Sequence, residues 1–236
     1  MGSFRGWLQK MFGIPAGNSQ DIEAAPAPAD IDPPIEKEDP HYEVIRVQPT
    51  PNPEAFQFIM NRQVIAHGTL TFESAEEAKG DPLGEALFEI FGVVNVFLKE
   101  NFVTVTKSNV VGWHTVMETV GETIQEHLKF YEGNETPKEN KPEIDPILEA
   151  FKKEEFPGYT DDEKTKVIDA LLDVAVRPAL SNDGGGIDVI GIEGSVVKIH
   201  YQGACGSCPS STTGTLSYIE NFLKEAVHPD LQVQAN

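Results

Sequence analysis

Gly203-Ala204-Cys205-Gly206-Ser207-Cys208-Pro209-Ser210-Ser211 is the stretch on which the fold turns. Ahead of it, Ile187 to Ile192 and Val196 to Gln202 read as two strands, turned at Glu193-Gly194-Ser195. Val197, Ile199 and Tyr201 share one face of the second strand, opposite Lys198, His200 and Gln202. Behind the cysteines, Leu216, Ile219, Phe222, Leu223 and Ala226 recur at helical spacing, and Leu231 to Gln234 reads as a further edge strand. The nine residues therefore join a strand end to a helix start, with Pro209 suited to the first helical position.

Two residues between Cys205 and Cys208 let both sulfurs point at one ion, a spacing shared by zinc and iron–sulfur sites. Gly206 permits a sharp turn and keeps bulk away from whatever the sulfurs hold. The first N–H groups of the following helix, at Ser210, Ser211 and Thr212, favour negative charge there. A free thiol has a pKa near about 8.5, and such surroundings lower it to roughly 3.5–7.5. The pair is thus prepared to bind metal or to exchange disulfide.

Ligand counting narrows the options without closing them. A structural zinc site takes four ligands, commonly two such pairs in one chain. This chain has only these two cysteines, and His200 has no partner at metal-ligand spacing. An iron–sulfur cluster also takes four thiolates, which two copies supply across a two-fold axis. A thioredoxin-like redox pair would follow a strand in a βαβ unit, whereas a hairpin precedes this one. Cluster, redox pair and zinc all stay open on spacing alone.

The rest of the composition sets bounds. Across 236 residues, 38 acidic against 18 basic side chains leave a formal charge of −20, a field that repels nucleic-acid backbones. No run of 18 apolar residues is present, so no membrane-spanning helix is expected. Two close cysteines are too few for a secreted disulfide scaffold and point to a reducing compartment. The cytoplasm is the expectation, with an organelle matrix as the alternative.

Outward from the cysteines, the chain divides into four parts. Residues 1–40 hold an amphipathic start, with Phe4, Trp7, Leu8, Met11 and Phe12 on one face, and an Ala/Pro/Asp-rich disordered tether. The start is read as a tail helix, with weak surface or partner contact through residues 4–12 as the other reading. Residues 41–131 form a first domain. Val44 to Gln48 is a strand, Thr50-Pro51-Asn52-Pro53 must turn, and Phe56, Phe58 and Met60 alternate on a second strand. Asp81-Pro82 starts a helix whose buried stripe is Leu83, Ala86, Leu87, Ile90 and Phe91. Val94 to Leu98 and Phe102 to Thr106 form a hairpin around Lys99-Glu100-Asn101, and Trp113, Val116, Val120, Ile124 and Leu128 mark a closing helix. Residues 132–160, rich in Glu, Lys and Pro, read as a linker in which Ile147, Leu148 and Phe151 make a short helix. Residues 161–236 form the second domain, opened by a capping box between Thr160 and Glu163. Val167, Ile168, Leu171, Leu172 and Val174 line its first helix, which Pro178 bends or ends before Asp183-Gly184-Gly185-Gly186. That glycine run reads as a tight turn; no Gly-Lys-Ser/Thr follows to make it a phosphate loop. The fold class is α+β: two small domains, each a short, mainly antiparallel sheet packed with helices, joined by a flexible acidic linker.

Arg177-Pro178, Asp183-Gly184-Gly185, two strands and Cys205-Gly206-Ser207-Cys208-Pro209-Ser210-Ser211, in that order, resemble the C-terminal NifU-like domain of Nfu iron–sulfur carrier proteins. Thr50-Pro51-Asn52-Pro53, then Phe91-Gly92-Val93 to Val96-Phe97 and Phe102 to Lys107, resemble the Nfu N-terminal domain. The resemblance implies a non-enzymatic scaffold and carrier. It would hold a 4Fe–4S cluster between two subunits, on Cys205 and Cys208 of each, and deliver it to apo iron–sulfur acceptor proteins. Upstream assembly proteins and a second copy of the chain are the other implied partners. The first domain carries no cysteine; its expected role is to recognise acceptors or to support the carrier domain.

Overall fold

The structure, a computed structural model, describes residues 41–133, 145–206 and 209–235. The expected N-terminal helix and tether, and the acidic stretch 134–144, lie outside the described residues.

The first domain is built on a five-stranded sheet. Its strands are β1 (Val44–Pro49), β2 (Ala55–Met60), β4 (Thr69–Phe72), β5 (Val93–Lys99) and β6 (Phe102–Lys107), in spatial order β1-β2-β6-β5-β4. Every neighbouring pair is antiparallel. Between β2 and β4 a three-residue strand, β3 (Ile65–His67), pairs in parallel with β7 (Tyr131–Gly133). Helices α1 (Pro82–Glu89) and α2 (Trp113–His127) cover one face of the large sheet. Leu83 and Leu87 of α1 join Val116, Val120 and Ile124 of α2 over Phe58, Met60, Val96, Leu98, Val103 and Val105. The period-2 strand pattern and the 3.6-residue helix pattern thus meet in one core.

Two expectations for this domain change. Phe91 is 74% exposed rather than buried, because α1 ends at Glu89 and Ile90 turns away with ψ 120°. The buried stripe instead includes Gly84, which lies against Ala78 and Phe72. Strands β3, β4 and β7 have no counterpart in the sequence reading.

The second domain has a three-stranded sheet in the order β10-β9-β8. Strand β8 (Gly185–Glu193) pairs antiparallel with β9 (Val196–Gly203), and β10 (Gln232–Ala235) adds in parallel to the other side of β9. The β8–β9 register steps between Val189 and Gly191, a bulge in the outermost strand. Helix α4 (Asp161–Ala175) opens with the expected capping box, and Pro178 sits at the start of a separate helix, α5 (Arg177–Asn182). Helix α6 (Pro209–Ala226) follows the cysteine loop.

The segment expected as linker behaves differently from its composition. Helix α3 (Pro146–Ala150) and a 3₁₀ turn (Lys153–Gly158) bury Leu148, Phe151 and Phe156 in the second core, beside Val167, Leu171 and Phe222. The Phe151, Phe156 and Tyr159 rings pack together with centroids 6.0–6.4 Å apart. The second core therefore starts at Leu148, ahead of the expected boundary at 161.

Candidate metal centre

Cys205 stands two residues beyond β9, in a tight turn where the Gly206 N–H donates to the Gly203 carbonyl at 3.2 Å. Gly203 makes the exit from the strand, with φ +60°, a backbone conformation other residues adopt only under strain. The Ala204 N–H donates to the Gly184 carbonyl at 3.2 Å, tying the loop to the start of β8. Cys205 is 4% exposed and belongs to the second core. Its sulfur lies over Gly185: a Cβ there would sit 2.6 Å from Cys205 Sγ and 2.7 Å from the Gln202 carbonyl oxygen. Cys208, the other expected ligand, lies outside the described residues. Helix α6 begins at Pro209, as the sequence predicts.

Tyr201, on the same strand, has a buried hydroxyl without a hydrogen-bond partner among the described residues. Burial first, and then the charge of Cys205, push its pKa up to about 12, so the phenol stays neutral beside the sulfur. His200 points the other way, towards the first domain, where its Nε2 lies 2.7 Å from Glu73 Oε1. Among the described residues no group of three or more His, Cys, Asp or Glu gathers into a metal-binding set.

Behind the loop, Arg177 fixes the scaffold. Its guanidinium donates to the Ile187 carbonyl at 3.0 Å and to Asp169 and Asp173 carboxylates at 2.6 Å each. Although burial opposes the charge, the two carboxylates hold the pKa above its ordinary value. Helices α4 and α5 are so pinned to β8, just past the glycines that floor the cysteine loop.

One contributor escaped the sequence reading. Asn52, quoted there only as a turn residue, sends its side-chain N–H to the Ala204 carbonyl at 3.0 Å, next to Cys205. Within its own turn the Asn52 Oδ1 accepts from the Glu54 N–H, and Thr50 Oγ1 donates to the Asn52 carbonyl, so the amide is aimed outward. Its only advance signal was its place in the Thr50-Pro51-Asn52-Pro53 motif.

Residues 45–130 match the family model described as "Scaffold protein Nfu/NifU N terminal", and residues 168–234 match that of the NifU-like domain. "NifU-like protein 4, mitochondrial" of Arabidopsis thaliana is 35% identical over 185 residues, 78% of this chain and 62% of that protein. "NFU1 iron-sulfur cluster scaffold homolog, mitochondrial" of Drosophila ananassae is 35% identical over 182 residues, 76% of this chain and 59% of its own length. The chain thus spans about three-fifths of the length of these curated relatives. A solution structure of a NifU-like protein from Saccharomyces cerevisiae aligns with 47% of this chain and 90% of its own, at 15% identity and a TM-score of 0.34.

Proposed function

The chain belongs to the Nfu/NifU-like scaffold family, and from that premise we propose that it carries an iron–sulfur cluster on Cys205 and Cys208 and passes it to apo-proteins. The observation that carries the reading is the donor count: the only two cysteines of the chain fall in one loop, half of what a 4Fe–4S cluster takes. A second copy supplies the other two across a two-fold axis, where one loop meets its own image.

Delivery is ligand exchange. Acceptor thiolates replace Cys205 and Cys208 one after another, and the paired chains separate as their shared cargo leaves. Nothing in this sequence of steps turns over a substrate, so the protein acts as a scaffold and not as a catalyst. Coordination takes deprotonated sulfur, so cluster retention weakens in acid. A reducing interior, cytoplasm or organelle matrix, is the compartment that suits such cargo; the names of the Arabidopsis and Drosophila relatives place those two proteins in mitochondria.

Anaerobic reconstitution with iron and sulfide tests the proposal. The expected product is a brown dimer with about one 4Fe–4S cluster per two chains, and Cys205→Ser or Cys208→Ser loses both colour and cluster-linked dimerisation. A loaded monomer, or a full cluster in either single variant, would overturn the ligand assignment. Insulin reduction without iron would point to a dithiol oxidoreductase, and a colourless product with stoichiometric zinc to a binding module.

A further inference from the structure

The first domain meets the second through the sheet face turned away from its own helices. Gln57, Thr104, Phe97 and Thr71 stand in one register line across β2, β6, β5 and β4, with Thr106 beside Asn95. Phe97 is fully buried; its ring lies 2.9 Å from a Cβ built at Gly203, where a side chain would have to go, and rests in van der Waals contact over Gly186. Thr50 Cγ2 and Thr104 Oγ1 close over Gly184 in the same way, 2.9 and 3.1 Å from a Cβ built there. Two buried side-chain amides complete the contact: Gln57 donates to the Ser181 carbonyl at 3.1 Å, and Asn52 to the Ala204 carbonyl at 3.0 Å. All these contacts fall on the backbone that flanks Cys205: Ser181 and the glycines beneath the sulfur, and Gly203-Ala204 leading into it.

Two properties of this contact matter together. It ties down the backbone beside Cys205, whose sulfur faces Gly185 within the second domain's own core and which is 4% exposed. Bringing that sulfur to an interface requires residues 204–206 to swing outward, and Asn52 holds the Ala204 carbonyl against that motion. The contact is also poorly satisfied. The Thr71, Thr104 and Thr106 hydroxyls and the Asn95 amide oxygen are buried without hydrogen-bond partners among the described residues. Each regains water when the domains part. The rim is polar, with Thr69 Oγ1 donating to Gln202 Oε1 at 3.0 Å and His200 meeting Glu73. Alongside runs an open cleft of about 280 Å³ between Thr69, Lys99, Arg177 and Gln202. An interface of this kind separates more readily than a core.

We propose that the first domain is a releasable latch on the cysteine loop: docked, it holds Cys205 buried, and a cluster is loaded between two chains only from the undocked form. The loading step rests on the shared-cluster reading above; the shielding of Cys205 does not.

The test uses the full chain carrying Cys208→Ser, reduced, so that Cys205 is the only thiol, and follows its alkylation by iodoacetamide. Asn52→Ala with Gln57→Ala removes both buried amides. Thr104→Lys, as a second variant, puts a charge into the contact at a position that faces away from the first core. Alkylation is expected to be about tenfold faster in the double-alanine variant, the factor that two ordinary hydrogen bonds hold between closed and open forms, and faster than the parent in Thr104→Lys as well. The radius of gyration in small-angle scattering is expected to rise with it. An unchanged rate in both variants overturns the latch, as does a parent rate equal to that in urea. Reconstitution of the two-cysteine chain with the same substitutions separates the two ideas. Faster alkylation with no cluster uptake leaves the latch standing and sinks the shared cluster. Parent-like alkylation with normal uptake does the reverse.

Discussion

At Gly185 the missing side chain is what lets the Cys205 sulfur rest against the β8 backbone. Gly185→Ala would place its methyl against that sulfur and against the Gln202 carbonyl, which is backbone of the neighbouring strand and does not yield. We expect a loss of about 1–3 kcal/mol in urea denaturation, together with lower cluster retention because Cys205 is pushed from its seat. The cysteines themselves were legible in the sequence, since their spacing is a local signal. Gly185 was legible only as part of a turn: the sequence shows that the chain bends there but not what lies overhead. Asn52 was hidden more deeply. Its partner Ala204 is 152 residues away, and no local pattern marks a side chain whose purpose is to reach another domain.

Elements with strong local signals were read correctly, and so were the short α3 and β10, but β3, β4 and β7 were not. Asp81 caps α1 as the Asp81-Pro82 pair predicts, accepting from the Gly84 N–H at 2.9 Å while also meeting Lys129 and Tyr131 at 2.9 Å. Burial alone would raise its pKa, but the Gly84, Lys129 and Tyr131 bonds outweigh it and hold the carboxyl below its ordinary range. A carboxyl lowered on folding adds stability above its unfolded value, near about 3.9, and loses it as pH falls through the lower folded value. Asp81→Ala should therefore cost about 1 kcal/mol near neutral pH, with the gap to the parent narrowing below pH of about 4 in urea titrations. A gap that stayed constant into acid would show that the ionised carboxylate is not what matters. By contrast, β3 has three residues and β7 another three, and they pair although β4, β5, β6 and both helices lie between them in the chain. Periodicity cannot register so few positions. Phe91 was misplaced for a related reason. It continues the α1 stripe by spacing, yet Ile90 has already left the helix.

The whole molecule departs from its sequence reading where composition misled. Glu, Lys and Pro made 132–160 read as a linker holding one short helix, but Leu148, Phe151 and Phe156 are core residues of the second domain. A chain starting at residue 145 should then be more stable to urea than one starting at 161, by about 4 kcal/mol or more, the scale of losing buried aromatic and leucine side chains. Equal midpoints would return the segment to the role of a spacer. The bulge between Val189 and Gly191 matters at the same scale. A kinked border strand, with Arg177 already bonded to its Ile187 carbonyl, offers passing copies no straight rail to zip onto. Copies of the chain are in this way kept from stacking edge to edge along β8 into ribbons.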